Sequence, residues 1–252
     1  MRFLLLVLGC VFFSTASFAG ILESEAQSFM PENDLHLEDH WMESSSNVTE
    51  EMFNRIIDTG KELYQPLADE NDESLTINNK WSDSTVNANC SRFFGSVTIN
   101  MFGGLARRPE VSPEAFALVL CHELGHAYGG KPYIRKSSKM SAEGQADYYG
   151  ANDCLKKVID VLEEEFPEFE PSEFAEDKCG GDVVCLRGLN AGQGLGDLLA
   201  SMKKESPPDY STPDTLVVKK TQLSYPKTVQ CRLDTYLAGA MDWDRPTCWF
   251  KK

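Results

Sequence analysis

The stretch that most constrains this chain is "RRPEVSPEAFALVLCHELGHAYGGKP", residues 107 to 132. Ser112 is a helix cap, Pro113 suits the first helical position, and Glu114 favours the positive end of the helix dipole. Gly129, Gly130 and Pro132 end the run. Val119, Leu120, Leu124 and Ala127 are apolar around the remaining polar residues, so the predicted helix must be buried. A helix turns once in 3.6 residues, which sets His122 and His126 on one side, one turn apart, with Glu123 about 100° around the axis. Burying two imidazoles and a carboxylate unpaired costs several kcal/mol. A metal ion removes that cost. Both imidazoles can reach one Zn2+, and Glu123 stands near enough to hold a water beside the ion without being a ligand. Gly125 leaves room for something to approach closely.

A catalytic zinc usually takes three protein ligands and keeps one position open. The chain has four histidines and none follows His126, so the third ligand is an acid or a thiolate. "SAEGQADYYGA" offers Glu143 and Asp147, four apart on one face of a second helix that Ser141 can cap. We expect Glu143 on the metal and Asp147 accepting from a ring N–H of His122 or His126, which fixes tautomer and orientation. The exchange, with the shorter Asp147 as ligand, is the alternative. His36 and His40, in "HLEDH", share the four-residue spacing but have no helix-length apolar pattern around them, and read as solvated linker histidines.

Residues 1–19 combine Arg2, an apolar run, and small Ser17 and Ala19 before Gly20, the pattern of a secretory signal peptide. The run is too short for a membrane span, and no second long one follows. Residues 20–48 are acidic and polar, a flexible lead-in or short pro-segment. Residues 49–252 are read as one domain. The chain carries a formal charge of −15, and Arg2 is the only charged residue of the signal segment, so its removal gives −16. That surface disfavours nucleic acid and anionic lipid as partners. Export, to a periplasm or outside the cell, permits disulfides. Seven cysteines lie beyond residue 19. Cys121, inside the buried helix, is expected to be the free one, and Cys179 with Cys185 forms the easiest local loop.

The remaining pattern is strands before helices, an α+β class. A helix from Thr49, with Met52, Phe53, Ile56, Ile57, Leu63 and Tyr64 on one face, is expected to end near Pro66. "SLTINNKW" and "STVNANCSRFFGSVTINMF" read as strands, with Gly95 at a turn. Val97 to Met101 is the expected edge strand, able to hold an extended peptide by main-chain bonds. "GLNAGQGLGDLLASMKK" reads as a helix broken by its glycines, 224–243 as a turn and a helix, and "RPTCWF" as a docked tail.

With H-E-L-G-H followed by E-G-Q-A-D, the chain resembles the gluzincin metallopeptidases, and within them the HtpX-like and CAAX-prenyl-protease-like group with its soluble periplasmic relatives. "VNANCSRFFGSVTIN" is similar to the segment of that group in which an Asn-Ala pair precedes a substrate-holding strand. "YPKTVQCR" is similar to its His-Pro and later Arg, with Tyr225 standing where the group has histidine and Arg232 matching the arginine. The likeness covers residues 84 to 155 well and 224 to 238 loosely. The spacing from His126 to Glu143 is shorter than in that group. The resemblance implies a zincin-like fold and zinc-dependent hydrolysis of exported polypeptides. In it Glu123 acts as general base, and Tyr225 and Arg232 are candidates for holding the oxyanion. A zinc-binding periplasmic quality-control or chaperone-like protein without catalysis is the alternative.

Overall fold

The computed structural model describes residues 26–38 and 47–252. The expected signal segment, His40 and parts of the lead-in lie outside the described residues. The class is α+β. A four-stranded mixed sheet is built from β1 (Gln27–Ser28), β2 (Ser74–Lys80), β3 (Ala88–Phe93) and β4 (Ser96–Phe102), in the order β1-β3-β4-β2. β2 runs parallel to β4, while β3 is antiparallel to both β4 and β1. β3 and β4 form a hairpin through Phe94 and Gly95, both at positive φ, the geometry of the tight turn that suits strand twist.

This order corrects one expectation. Val97 to Met101 belongs to β4, which is paired on both sides and therefore has no free main-chain edge. The edge beside the buried helix is the outer side of β3, and β1 of the lead-in lies along it.

Helix α1 (Glu50–Glu70) starts at Thr49, whose hydroxyl accepts from the Met52 amide at 3.2 Å. It continues through Pro66 rather than ending there. Pro66 is exposed, so the carbonyl it leaves unpaired can face water, while Tyr64 and Ala68 stay buried and hold the last turns to the core. After the short α2 (Gly103–Ala106) comes α3 (Pro113–Tyr128), the predicted buried helix. Ser112 Oγ accepts from the Ala115 amide at 3.1 Å, and every residue from Pro113 to Ala127 is buried. Its neighbours include α1, the inner face of β3 and β4 with Cys90, Val97, Ile99 and Met101, and the helices that follow.

A small hairpin, β5 (Tyr133–Arg135) with β6 (Met140–Ser141), leads into α4 (Glu143–Tyr149). One π-helical turn, Gly150–Cys154, joins it to α5 (Leu155–Leu162). Then come α6 (Glu173–Cys179), α7 (Val183–Lys203) and α8 (Val229–Ala240). α7 is not broken by its glycines. They are places of close approach: a Cβ on Gly192 would lie 2.6 Å from the Tyr210 hydroxyl, and one on Gly194 would lie 2.7 Å from the Glu110 carbonyl oxygen. The tail docks as expected, with Cys248 and Trp249 buried.

Disulfides join Cys121 to Cys154, Cys179 to Cys185, and Cys231 to Cys248. Cys90 is the free thiol among the described residues, so the expectation for Cys121 is corrected. Burial on a helix does not keep a cysteine single when another helix presents one beside it, and the π-helical turn brings Cys154 there. No helix among the described residues is long and apolar enough to cross a membrane.

Candidate metal centre

His122 and His126 face α4 from α3, and Glu143 meets them from the first turn of α4. Glu143 Oε2 lies 3.5 Å from His122 Nε2, and Oε1 lies 3.6 Å from His126 Nε2. The two imidazole planes are nearly perpendicular, with centroids 4.6 Å apart. The three ligand-type atoms all lie within 4.8 Å of one another, so the group could hold a metal ion.

The second ring nitrogens are both committed. Nδ1 of His122 donates to Asp147 Oδ1 at 2.8 Å, and Nδ1 of His126 donates to the Ser141 carbonyl at 2.9 Å. Carboxylate and carbonyl oxygens only accept here, so each Nδ1 carries a proton and each Nε2 can present a lone pair inward. His122 Nε2, His126 Nε2, Glu143 Oε2 and both Glu123 oxygens are buried without a hydrogen-bond partner. Orphaned polar atoms are rare in protein interiors. Here acceptor atoms from His122, His126 and Glu143 converge, a donor set that suits a divalent cation such as zinc.

The approach of the two helices depends on Gly125. A Cβ there would lie 2.8 Å from the Ala146 carbonyl oxygen and 3.0 Å from its Cα, which are backbone atoms with nowhere to rotate. Gly125→Ala therefore drives α4 away from α3 and moves Glu143 out of reach. We expect a stability loss of about 1–3 kcal/mol, the usual range for overpacking. Metal affinity should fall by about tenfold or more, as when ligand support is lost. Competition with a chromophoric chelator measures it.

Behind the centre lies a buried charged layer. Asp147 takes Nε and Nη2 of Arg232 at 2.8 and 2.6 Å, and the Tyr236 hydroxyl at 2.9 Å. Burial alone would raise the Asp147 pKa, but Arg232 and His122 override it and hold the carboxyl well below its ordinary range. Burial lowers the pKa of His122, yet Asp147 reverses this and lifts it to about 9, so a cation arriving at Nε2 would displace a proton to reach the lone pair. His126 lacks such a partner, and burial takes it down to about 4. Burial pushes Glu123 up to about 8, opposed by His122, Arg232 and the Phe29 amide and assisted by Glu143.

Two sequence candidates are engaged elsewhere. Arg232 makes its third bond, from Nη1, to the Phe29 carbonyl at 2.8 Å, and stands behind the ligand atoms rather than among them. Tyr225 is half-buried, and its hydroxyl donates to the Ser28 carbonyl at 2.7 Å. Three contributors were not anticipated. Tyr236 lies four residues after Arg232 on α8, a spacing that was visible. Ser141 acts through its carbonyl, which no side-chain pattern reveals. Phe29, from a segment with the composition of a linker, sets its ring edge-on to His122, centroids 5.3 Å apart. His36, in the same segment, contacts the Ser84 hydroxyl at 3.1 Å through Nδ1. A second cluster, Asp214 with Cys231 and Cys248, offers no thiolate, because those cysteines form a disulfide. Searches of family models, of curated proteins and of solved structures found no match to this chain, so its functional reading rests on the centre just described.

Proposed function

We propose that this chain is a zinc-dependent endopeptidase with a zincin-like active site, acting on exported polypeptides. The observation that carries the reading is the inward convergence of His122 Nε2, His126 Nε2 and Glu143, with the unbonded Glu123 carboxylate beside them. The order of these residues along the chain supports it through the gluzincin resemblance. When bound, zinc supplies a Lewis acid that polarises the scissile carbonyl and makes water nucleophilic near neutral pH.

The chain's own residues do the rest. Glu123 takes a proton from the attacking water and returns it to the leaving amine nitrogen. Asp147 holds His122 in the tautomer that frees Nε2, and the Ser141 carbonyl does the same for His126. Arg232 and Tyr236 keep Asp147 ionised and immobile, so we assign Arg232 a positioning role. Tyr225 can supply an O–H to a developing oxyanion only after giving up its bond to Ser28.

A second reading is a zinc-binding polypeptide chaperone that does not cut. One observation favours it: His122, Glu123 and His126 are 0% exposed and Glu143 is 2% exposed, a closed centre. Metal analysis with a peptide-cleavage assay separates the readings. Wild type should carry stoichiometric zinc and, once its closed centre has been opened, hydrolyse an unstructured polypeptide. Glu143→Ala should lose metal affinity by more than about tenfold, at least the loss typical of disturbed ligand support. Stoichiometric zinc without turnover, after the centre has been opened, would leave the binder.

A further inference from the structure

We propose that Gln27–Met30 is a built-in plug, a piece of the chain's own N-terminal segment seated along β3 where an extended peptide would lie, holding the metal centre shut until it is displaced. What the plug shuts rests on the peptidase reading; that it packs against His122 of the centre is geometry.

Five contacts hold the segment, and all of them use its main chain. β1 pairs antiparallel with the outer edge of β3, Gln27 opposite Cys90 and Ser28 opposite Asn89. The Phe29 amide continues the ladder by donating to the Ala88 carbonyl at 3.0 Å. Asn87 clasps Met30 through its carboxamide: Oδ1 accepts from the Met30 amide at 3.2 Å, and Nδ2 donates to the Met30 carbonyl at 3.1 Å. From the opposite side, Tyr225 donates to the Ser28 carbonyl and Arg232 to the Phe29 carbonyl. Main-chain capture at a sheet edge is how proteins hold extended peptides of varied sequence, and a flexible lead-in has no need of such a seat.

The side chain at the centre of the segment does the closing. The Phe29 ring is fully buried, edge-on to His122 and 4.6 Å beneath the Arg232 guanidinium. It touches the metal-facing histidine and the charged layer together. With it in place, the ligand side chains and Glu123 have essentially no exposure, and no substrate carbonyl can reach them. Immediately beyond Met30 the chain changes character: Pro31 to His36 are exposed. The plug is therefore tethered by a reachable stretch. Tethering makes its binding intramolecular, at an effective concentration near the millimolar range. Cut from its tether, a segment this short dissociates on dilution.

The test uses the full-length exported protein, with the recognition sequence of a site-specific protease inserted between Glu32 and Asn33. Metal removal by a strong chelator and hydrolysis of a fluorogenic peptide are followed before nicking, and again after the released fragment has been separated. We expect both rates to rise by about tenfold or more on nicking, the scale of an effective concentration lost. Adding back a peptide of residues 26–32 should reverse both. Faster chelation that the peptide reverses, with no hydrolysis, supports the plug and removes the peptidase reading. An unchanged chelation rate, with the fragment gone and circular dichroism preserved, overturns the plug. Because Phe29 and Met30 also belong to the core, uncut Phe29→Ala runs beside it. Severalfold faster chelation from that variant supports the proposal, and a wild-type rate counts against it.

Discussion

On the peptidase function proposed above, Glu123→Gln is expected to keep its metal and lose peptide hydrolysis by about 10²–10⁴-fold, the usual contribution of a positioned acid–base group. The exchange preserves shape and volume, and the Glu123 carboxylate has no side-chain hydrogen-bond partner to lose, so the fold loses little. What disappears is the capacity to take a proton and pass it on. His122, His126 and Glu143 remain, so metal analysis should read as wild type. The comparison is made with the N-terminal segment in place and again after its release, because a closed centre would hide the difference. Full activity of the glutamine variant in the opened protein would remove Glu123 from its assigned role.

Arg232→Met should be among the most destabilising single changes in the chain. Asp147 is fully buried and ionised, and Arg232 is the permanent cation against it. Removing one partner of a buried pair typically costs about 3–5 kcal/mol, because the other charge is left uncompensated. The variant also releases the Phe29 carbonyl and loosens the acceptor that orients His122, so metal affinity should fall by about 10–100-fold as well. Urea denaturation gives the first quantity and chelator competition the second. The double variant Arg232→Met/Asp147→Asn should recover much of the stability, since no unpaired charge remains, but not the affinity. A double variant no more stable than the single would mean that Arg232 acts through packing alone.

The centre was readable where chemistry is local. Two histidines one turn apart on a helix apolar all round, and two acids one turn apart on the next, required no knowledge of the rest of the chain. The limits of α3 were readable from Ser112, Pro113 and Gly129 for the same reason. What escaped depends on partners distant in sequence. Strand order is set by pairing, so the Val97–Met101 segment gave no sign that it would be enclosed by β2 and β3. Cys121 found Cys154 because the second helix packs across the first, 33 residues on. The glycines of α7 resemble breakers locally, yet Gly192 and Gly194 are required by Tyr210 and Glu110 from elsewhere. The segment around Phe29 and Met30 has the composition of a tether, and only its seat on β3 makes it part of the core.

The bridge from Cys121 to Cys154 has a bearing on how the centre is filled. Cys121 immediately precedes His122, and Cys154 closes the turn that follows the helix bearing Glu143. The donors are thus brought into register by a covalent strut that does not depend on the ion. Protein without an ion should keep its shape and accept a cation without a refolding step, whereas a reductant reaching that strut would scatter the donors even with the cation abundant.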